Sequence, residues 1–157
     1  LSGHSPGMTG FLDEENGVLY AGDSFFGERV LQSVGLPYLV EPELFKESIR
    51  KLMGYAEEGI LLIPSHGRAV KGEAALELLE FNLQRVEEGE KKILELLKEP
   101  RSVSELSYAL AKEFGAKITP QTLALNQVPI RAIIAELYNR ELIDAVVERD
   151  FKWKAKE

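Results

Sequence analysis

Only two histidines occur in this chain of 157 residues, and both stand beside glycine at the ends of apolar runs. His4 lies in Gly-His-Ser-Pro-Gly and His66 in Pro-Ser-His-Gly. Between them, Asp23 follows Gly22 where another apolar run ends. Two imidazoles and a carboxylate are ligands that suit a divalent ion such as zinc, and with no cysteine in the chain any metal must be held by His, Asp or Glu. A water held on such an ion is deprotonated near neutral pH, and the hydroxide can attack a carbonyl or phosphoryl centre. The separations of 19 and 43 residues mean that only the fold can bring the three together. Residue types alone leave other readings open. His4 could be a surface loop histidine, His66 could cap the helix after it, and Asp23 could accept from turn amides.

The elements that must position these residues are legible in outline. Residues 8–13 and 17–21 flank Glu-Asn-Gly, a strong β-hairpin signal. The glycine- and proline-punctuated stretch 24–40 reads as a loop with little regular structure. Glu41-Pro42 starts a helix with Leu44, Phe45, Ile49, Leu52 and Met53 at helical spacing. The run Ile60-Leu61-Leu62-Ile63-Pro64 has the length and continuity of a strand buried on both faces. A long helix over 73–98 carries a Leu/Val/Ile stripe, and Gly89 inside it marks a kink or a joint between domains.

Beyond Pro100 the pattern changes. Ser102-Val-Ser-Glu105 is a capping box that opens a helix to about Phe114. Thr119-Pro120 starts another helix, and Pro129 predicts a break near Val128. A third helix is then expected from Pro129 to Arg140, with Ile133, Ile134, Leu137 and Tyr138 facing the core. Residues 142–147 and 151–154 flank Glu148-Arg149-Asp150 as a second hairpin. Three helices followed by a hairpin is the order of a winged helix-turn-helix.

Composition sets bounds. The apolar share is 45%, and no run approaches the length of a membrane span. Absence of cysteine fits a reducing, cytoplasmic setting, and abundant Lys and Glu point to a thermophilic source. Net charge is −7 overall, −8 over residues 1–100 and +1 over 101–157, so there is no polybasic nucleic-acid signature. The opening in mid-motif without Met reads as a piece of a longer protein.

Gly3-His4-Ser5-Pro6-Gly7, the hairpin ending in Ala21-Gly22-Asp23-Ser24, and the strand ending in Pro64-Ser65-His66-Gly67 resemble the C-terminal half of the metallo-β-lactamase-fold superfamily in order, spacing and strand context. The resemblance implies an α/β fold: the C-terminal half of an αββα sandwich over residues 1–88, then a small winged-helix domain over 89–157. It makes His4 the terminal ligand of one metal, His66 that of a second, and Asp23 the catalytic bridge, with two Zn²⁺ per complete site. The tail Phe151-Lys152-Trp153-Lys154 is similar to the closing strand of the winged helix in a branch that includes a mitochondrial endoribonuclease of single-stranded RNA. The superfamily also hydrolyses esters, thioesters and lactams, so the resemblance leaves the substrate open.

One departure stands out. The family's His-x-His-x-Asp-His motif is absent, and a catalytic zinc wants about three protein ligands. The chain alone is therefore expected to be inactive. The missing N-terminal half or a second chain would complete the site, and an uncovered sheet favours homo-oligomers or docking. Phe25, Phe26 and Tyr38 are candidates to line a substrate pocket. Arg131 and Arg140 on the last helix, with Asn126 and Gln127 just before it, and Arg149, Lys152 and Lys154 on the hairpin, are candidates for RNA phosphate contact. Glu136, Glu141, Glu148 and Asp150 dilute their charge. Trp153 reads as packing more than as a base-stacking platform. The alternative reading of the whole is a non-enzymatic winged-helix adaptor for nucleic acid or protein, on a metal-free base.

Overall fold

The first strands are β1 (Phe11–Asp13) and β2 (Val18–Gly22), an antiparallel pair with Phe11 opposite Tyr20. They belong to a computed structural model that describes residues 1–147 and 151–156. Their turn is held by Asp13, whose carboxylate accepts from the Asn16 backbone at 3.1 Å and side-chain amide at 2.9 Å. Two helices follow, α1 (Glu28–Val34) and α2 (Pro42–Glu57), before β3 (Leu61–Pro64). β3 lies parallel to β2, which requires such a crossover. The sheet order is β1-β2-β3. Then come α3 (Glu73–Leu96), α4 (Val103–Glu113), α5 (Pro120–Asn139) and the antiparallel pair β4 (Ile143–Val147) and β5 (Phe151–Ala155).

The stretch read as loop over 24–40 contains α1. Gly27 and Gly35, taken as loop punctuation, are its two ends, and the Gly35 N–H closes the helix on the Leu31 carbonyl at 2.8 Å. β3 is covered on one face only. Leu62 is buried while Leu61 and Ile63 are half-buried. Leu19, Ala21 and Leu62 face the first core, with Phe45, Ile49 and Leu52 of α2 and Leu79 and Val86 of α3. Leu44, expected in the same stripe, is exposed. On the other sheet face, paired residues Phe11, Tyr20 and Ile63 form an apolar row, with Phe11 71% and Tyr20 52% exposed.

No break occurs near Val128: α5 runs through Pro129 to Asn139. Proline lacks the N–H that would bond the Leu125 carbonyl one turn back, yet its ring is buried in the apolar face. Ile130, Ile133, Ile134 and Leu137 on the same side join Ile93, Leu97, Leu106 and Leu110 in a second core. That burial outweighs the lost bond. Tyr138 is not in this core; it is half-exposed, edge-on to Trp153 at 5.5 Å. The capping box closes as expected, with the Ser102 N–H donating to Glu105 at 2.7 Å.

α3 is continuous through Gly89, so the change between residues 88 and 89 is in what the helix packs against, not in its path. Val86 belongs to the first core and Ile93 to the second. Gly89 serves a close approach: a Cβ there would sit 2.6 Å from Leu36 Cδ2. Leu36, from the segment after α1, thereby reaches the second core. Arg101 pairs with Trp153 beside the β4–β5 hairpin, and Trp153 packs on the second core. The expected turn Glu148-Arg149-Asp150 lies outside the described residues. Among the described residues, no helix is long and apolar enough to cross a membrane.

Candidate metal centre

His4 is set by the backbone beside it. Gly3 has φ +127°, and a Cβ there would fall 2.3 Å from the Phe45 backbone. Only glycine fits, and its carbonyl accepts from Val40 N–H at 2.8 Å and Glu41 N–H at 3.1 Å. This docks the N-terminal segment on the start of α2 and brings His4 to Tyr38. Asp23 and His66 follow β2 and β3, parallel strands that end at the same edge, where ligands of α/β sheets gather. Their loops are tied by Ser65 N–H to the Gly22 carbonyl and Gly27 N–H to the His66 carbonyl, both 2.8 Å.

The three residues converge. His4 Nε2 lies 3.5 Å from Asp23 Oδ2, and His66 Nε2 lies 3.6 Å from Asp23 Oδ1. Each histidine faces its own oxygen, with the carboxylate between them. His4 Nδ1 is 3.0 Å from the Tyr38 carbonyl. A carbonyl can only accept, so Nδ1 carries the proton, and in the neutral ring Nε2 presents a lone pair to the carboxylate. Two acceptors then face each other, which calls for a proton or a cation between them. Both separations exceed a well-formed N–H···O bond. They are near the roughly 3.3 Å between two donors of one tetrahedral zinc with bonds of about 2.0–2.1 Å. Asp23 Oδ1 is buried and has no hydrogen-bond partner. The donor set therefore fits divalent metal: an orphaned carboxylate oxygen, a tautomer fixed from behind, and a histidine on each side.

Aromatic rings surround the histidines. Phe26 is 5.9 Å from the His4 ring and stacks on His66 at 6.3 Å, and Tyr38 is 5.0 Å from His4. Phe25, expected beside them as a pocket residue, is wholly buried in the first core, where Phe26 is buried too. His66 is 62% exposed on its side chain and is the open side of the site.

The residues read for RNA contact do not form one strip. Arg131 lies on α5 and Arg140 caps its C-terminal end, nine positions on and about 180° around the axis at 3.6 residues per turn. Arg140 pairs with Glu136 at 3.6 Å and Arg131 donates to Gln127 at 3.2 Å. Lys154 is half-buried opposite Asp144. Lys152 lies on β5 opposite Val146, and Arg149 falls outside the described residues.

Sequence reading missed a second polar cluster. Lys46 of α2 is buried, donating to Glu43 at 2.6 Å and Glu90 at 2.9 Å. Carboxylate oxygens of Glu43, Glu90 and Glu136 lie within 4.8 Å of one another. The Lys46 ammonium already supplies a cation here. A lysine beside Phe45 on an amphipathic helix gives no signal of burial; the pairing with Glu90, 44 residues away, exists only in the fold.

The fold is similar to part of the fold of known metallo-β-lactamase family structures. A crystal structure of one such protein from Thermus thermophilus superposes with a TM-score of 0.69 at 24% identity, over 99% of this chain and 47% of that one. A beta-lactamase domain protein from Burkholderia ambifaria gives 0.67 at 16% identity, over 99% and 46%. At these identities the likeness is one of fold, and the chain spans about half the length of the structures it matches. No family model and no curated protein matches the sequence.

Proposed function

We propose that this chain carries one side of a binuclear centre in a metal-dependent hydrolase. The observation that carries the reading is the Asp23 carboxylate, held between two imidazole nitrogens with its buried Oδ1 unpartnered. His4 and His66 would be terminal ligands to two Zn²⁺ ions and Asp23 the bridge. Zinc bound there supplies a hydroxide at neutral pH and a Lewis acid for the charge that develops on an ester, thioester or phosphodiester. The Tyr38 carbonyl keeps the His4 ring in the tautomer that ligates through Nε2, and the Phe26 ring lies nearly parallel to that of His66.

The set is half of a centre. One histidine per ion plus a bridge falls short of three protein ligands with an open position, so the chain by itself is inactive under this reading. A His-x-His-x-Asp-His segment, from an N-terminal half or from a second chain, would complete it. The uncovered row Phe11, Tyr20 and Ile63 supports such docking. RNA remains a substrate class because Arg131 and Trp153 line one groove of about 490 Å³ with Ser102 and Val103, and we read the end of α3 with α4, α5 and the hairpin as a winged helix in which the expected second and third helices are one, α5.

Zinc calorimetry on the purified chain tests the reading, beside His4→Ala/His66→Ala and Asp23→Asn. The expected outcome is weak binding to the chain that disappears in both variants and tightens to stoichiometric binding when a polypeptide carrying His-x-His-x-Asp-His is added. Equal zinc affinity in the chain and in the double variant would overturn it.

A further inference from the structure

We infer that a proton held on Glu136 latches α5 against α2 and α3, so that the joint between the two cores loosens as the solution passes from acid to alkaline. The groups that meet at this joint come from three helices: Glu43 and Lys46 from α2, Glu90 from α3, and Glu136 from α5, with Arg140 four positions further on. The three donors of the Lys46 ammonium are all taken, one by Glu43 at 2.6 Å and two by Glu90 at 2.9 and 3.2 Å. None is left for Glu136. Its Oε1 is buried without a hydrogen-bond partner, and Arg140 comes only to 3.6 Å, beyond a well-formed bond. Glu136 stands instead in hydrogen-bond contact with Glu43. Ionised carboxylates only accept, so that contact needs a proton on one of the two.

Glu136 is the member that holds it. Its side chain is 19% exposed and that of Glu43 53%, and Lys46 serves Glu43 directly. Burial, the Glu43 contact and the charges of Glu43 and Glu90 hold the Glu136 carboxyl up at about 7. Once it ionises, three carboxylates face one buried ammonium and one exposed guanidinium, and like charges from α5 and α2 repel across the joint. Little apolar packing opposes them there. Ile130, Ile133, Ile134 and Leu137 of α5 turn to the second core. Of the described α5 residues, Ala132 packs on the first core, four positions before Glu136 and on the same side of the helix. Leu36 over Gly89 still joins the two cores, so the repulsion shifts α5 without releasing it. The same helix carries Leu125, which lines one hollow with Phe26, Tyr38 and His66, so the seating of α5 bears on access to the candidate metal centre.

The test measures the joint directly. The chain has no cysteine, so Lys51→Cys on α2 and Asn139→Cys at the end of α5, both at exposed positions, take a pair of nitroxide labels on the full chain. Pulsed dipolar spectroscopy then reads their separation in steps across pH 7, with circular dichroism on the same samples. One narrow distance is expected on the acid side. A second, longer population should appear on the alkaline side, half-developed near pH 7, with the helical signal unchanged. Glu136→Gln, which keeps a donor for Glu43 but cannot ionise, should hold the narrow distance throughout. Glu43→Gln, which removes the charge that Glu136 meets, should do the same and serves if the first variant does not fold. An unchanged distance in the parent would sink the latch, as would a pH-dependent distance that persists in the variants. Loss of helix together with the distance change would replace it by plain alkaline unfolding.

Discussion

Lys46 is a charged side chain only 7% exposed, and its surroundings explain how it is tolerated. Burial alone would lower its pKa, but hydrogen bonds and charge from Glu43 and Glu90 outweigh that and hold it above the ordinary lysine range. Glu136 suffers the reverse. Burial first, then the Glu43 hydrogen bond and the charges of Glu43 and Glu90, push its carboxyl up to about 7, with Lys46 opposing and Arg140 3.6 Å away on the same helix. An acid with a raised folded pKa binds more protons folded than unfolded between its two pKa values. Stability must therefore fall as pH rises from about 4.5 to about 7, and stay at the lower level above. Thermal midpoints of the chain should decline over that window, and Glu136→Gln should flatten the decline, leaving the variant more stable than the parent at pH 8. A parent and variant with parallel pH profiles would contradict the assignment. This cluster was illegible in the sequence because each member sits on an amphipathic helix among other Glu and Lys. His4, Asp23 and His66 stood out as scarce types or as neighbours of glycine at the ends of apolar runs, but only the family resemblance joined them in the sequence; the fold then brings them together. Asn126, placed by sequence among candidate phosphate contacts, is instead buried, and nothing local distinguishes it from an exposed asparagine.

At the scale of elements, signals confined to one helix end were readable and signals from packing were not. Ser102 and Glu105 close a reciprocal box whose four-residue spacing is visible in the chain. Replacing the serine should cost about 1 kcal/mol, so Ser102→Ala should lower the denaturant midpoint without changing its slope. A larger loss would mean that α4 anchors more than its own first turn. Pro129 misled for a reason of the same kind. Its local effect, a missing donor, predicts a break, while the apolar residues Ile130, Ile133, Ile134 and Leu137 are held in a core built from α3 and α4. Tertiary burial decides. The short α1 escaped because seven residues between two glycines carry too little periodicity to separate from a loop, and only Leu31 of it is fully buried.

At the scale of the molecule, the two cores are locked by side chains that cross between them. Leu36 enters the second core over Gly89, and Arg85 lies over the Phe114 ring at 4.5 Å. The sheet is different. Three strands are covered by helices on one side, and the opposite side offers Phe11, Tyr20 and Ile63 in register across all three. Isolated exposed apolar residues are ordinary, whereas an aligned row across a sheet is the surface a second layer covers. Under the proposed reading that layer is the sheet carrying the remaining ligands, and in its absence a second copy can occupy the same face. Sedimentation of the purified chain should therefore show concentration-dependent association, reduced in Phe11→Ser/Tyr20→Ser. The complementing polypeptide should compete with self-association and lose affinity in the same variant. A chain that stays monomeric at high concentration and binds the complement equally well with both residues changed would show that the row is a solvated face, and would move the search for the missing ligands elsewhere.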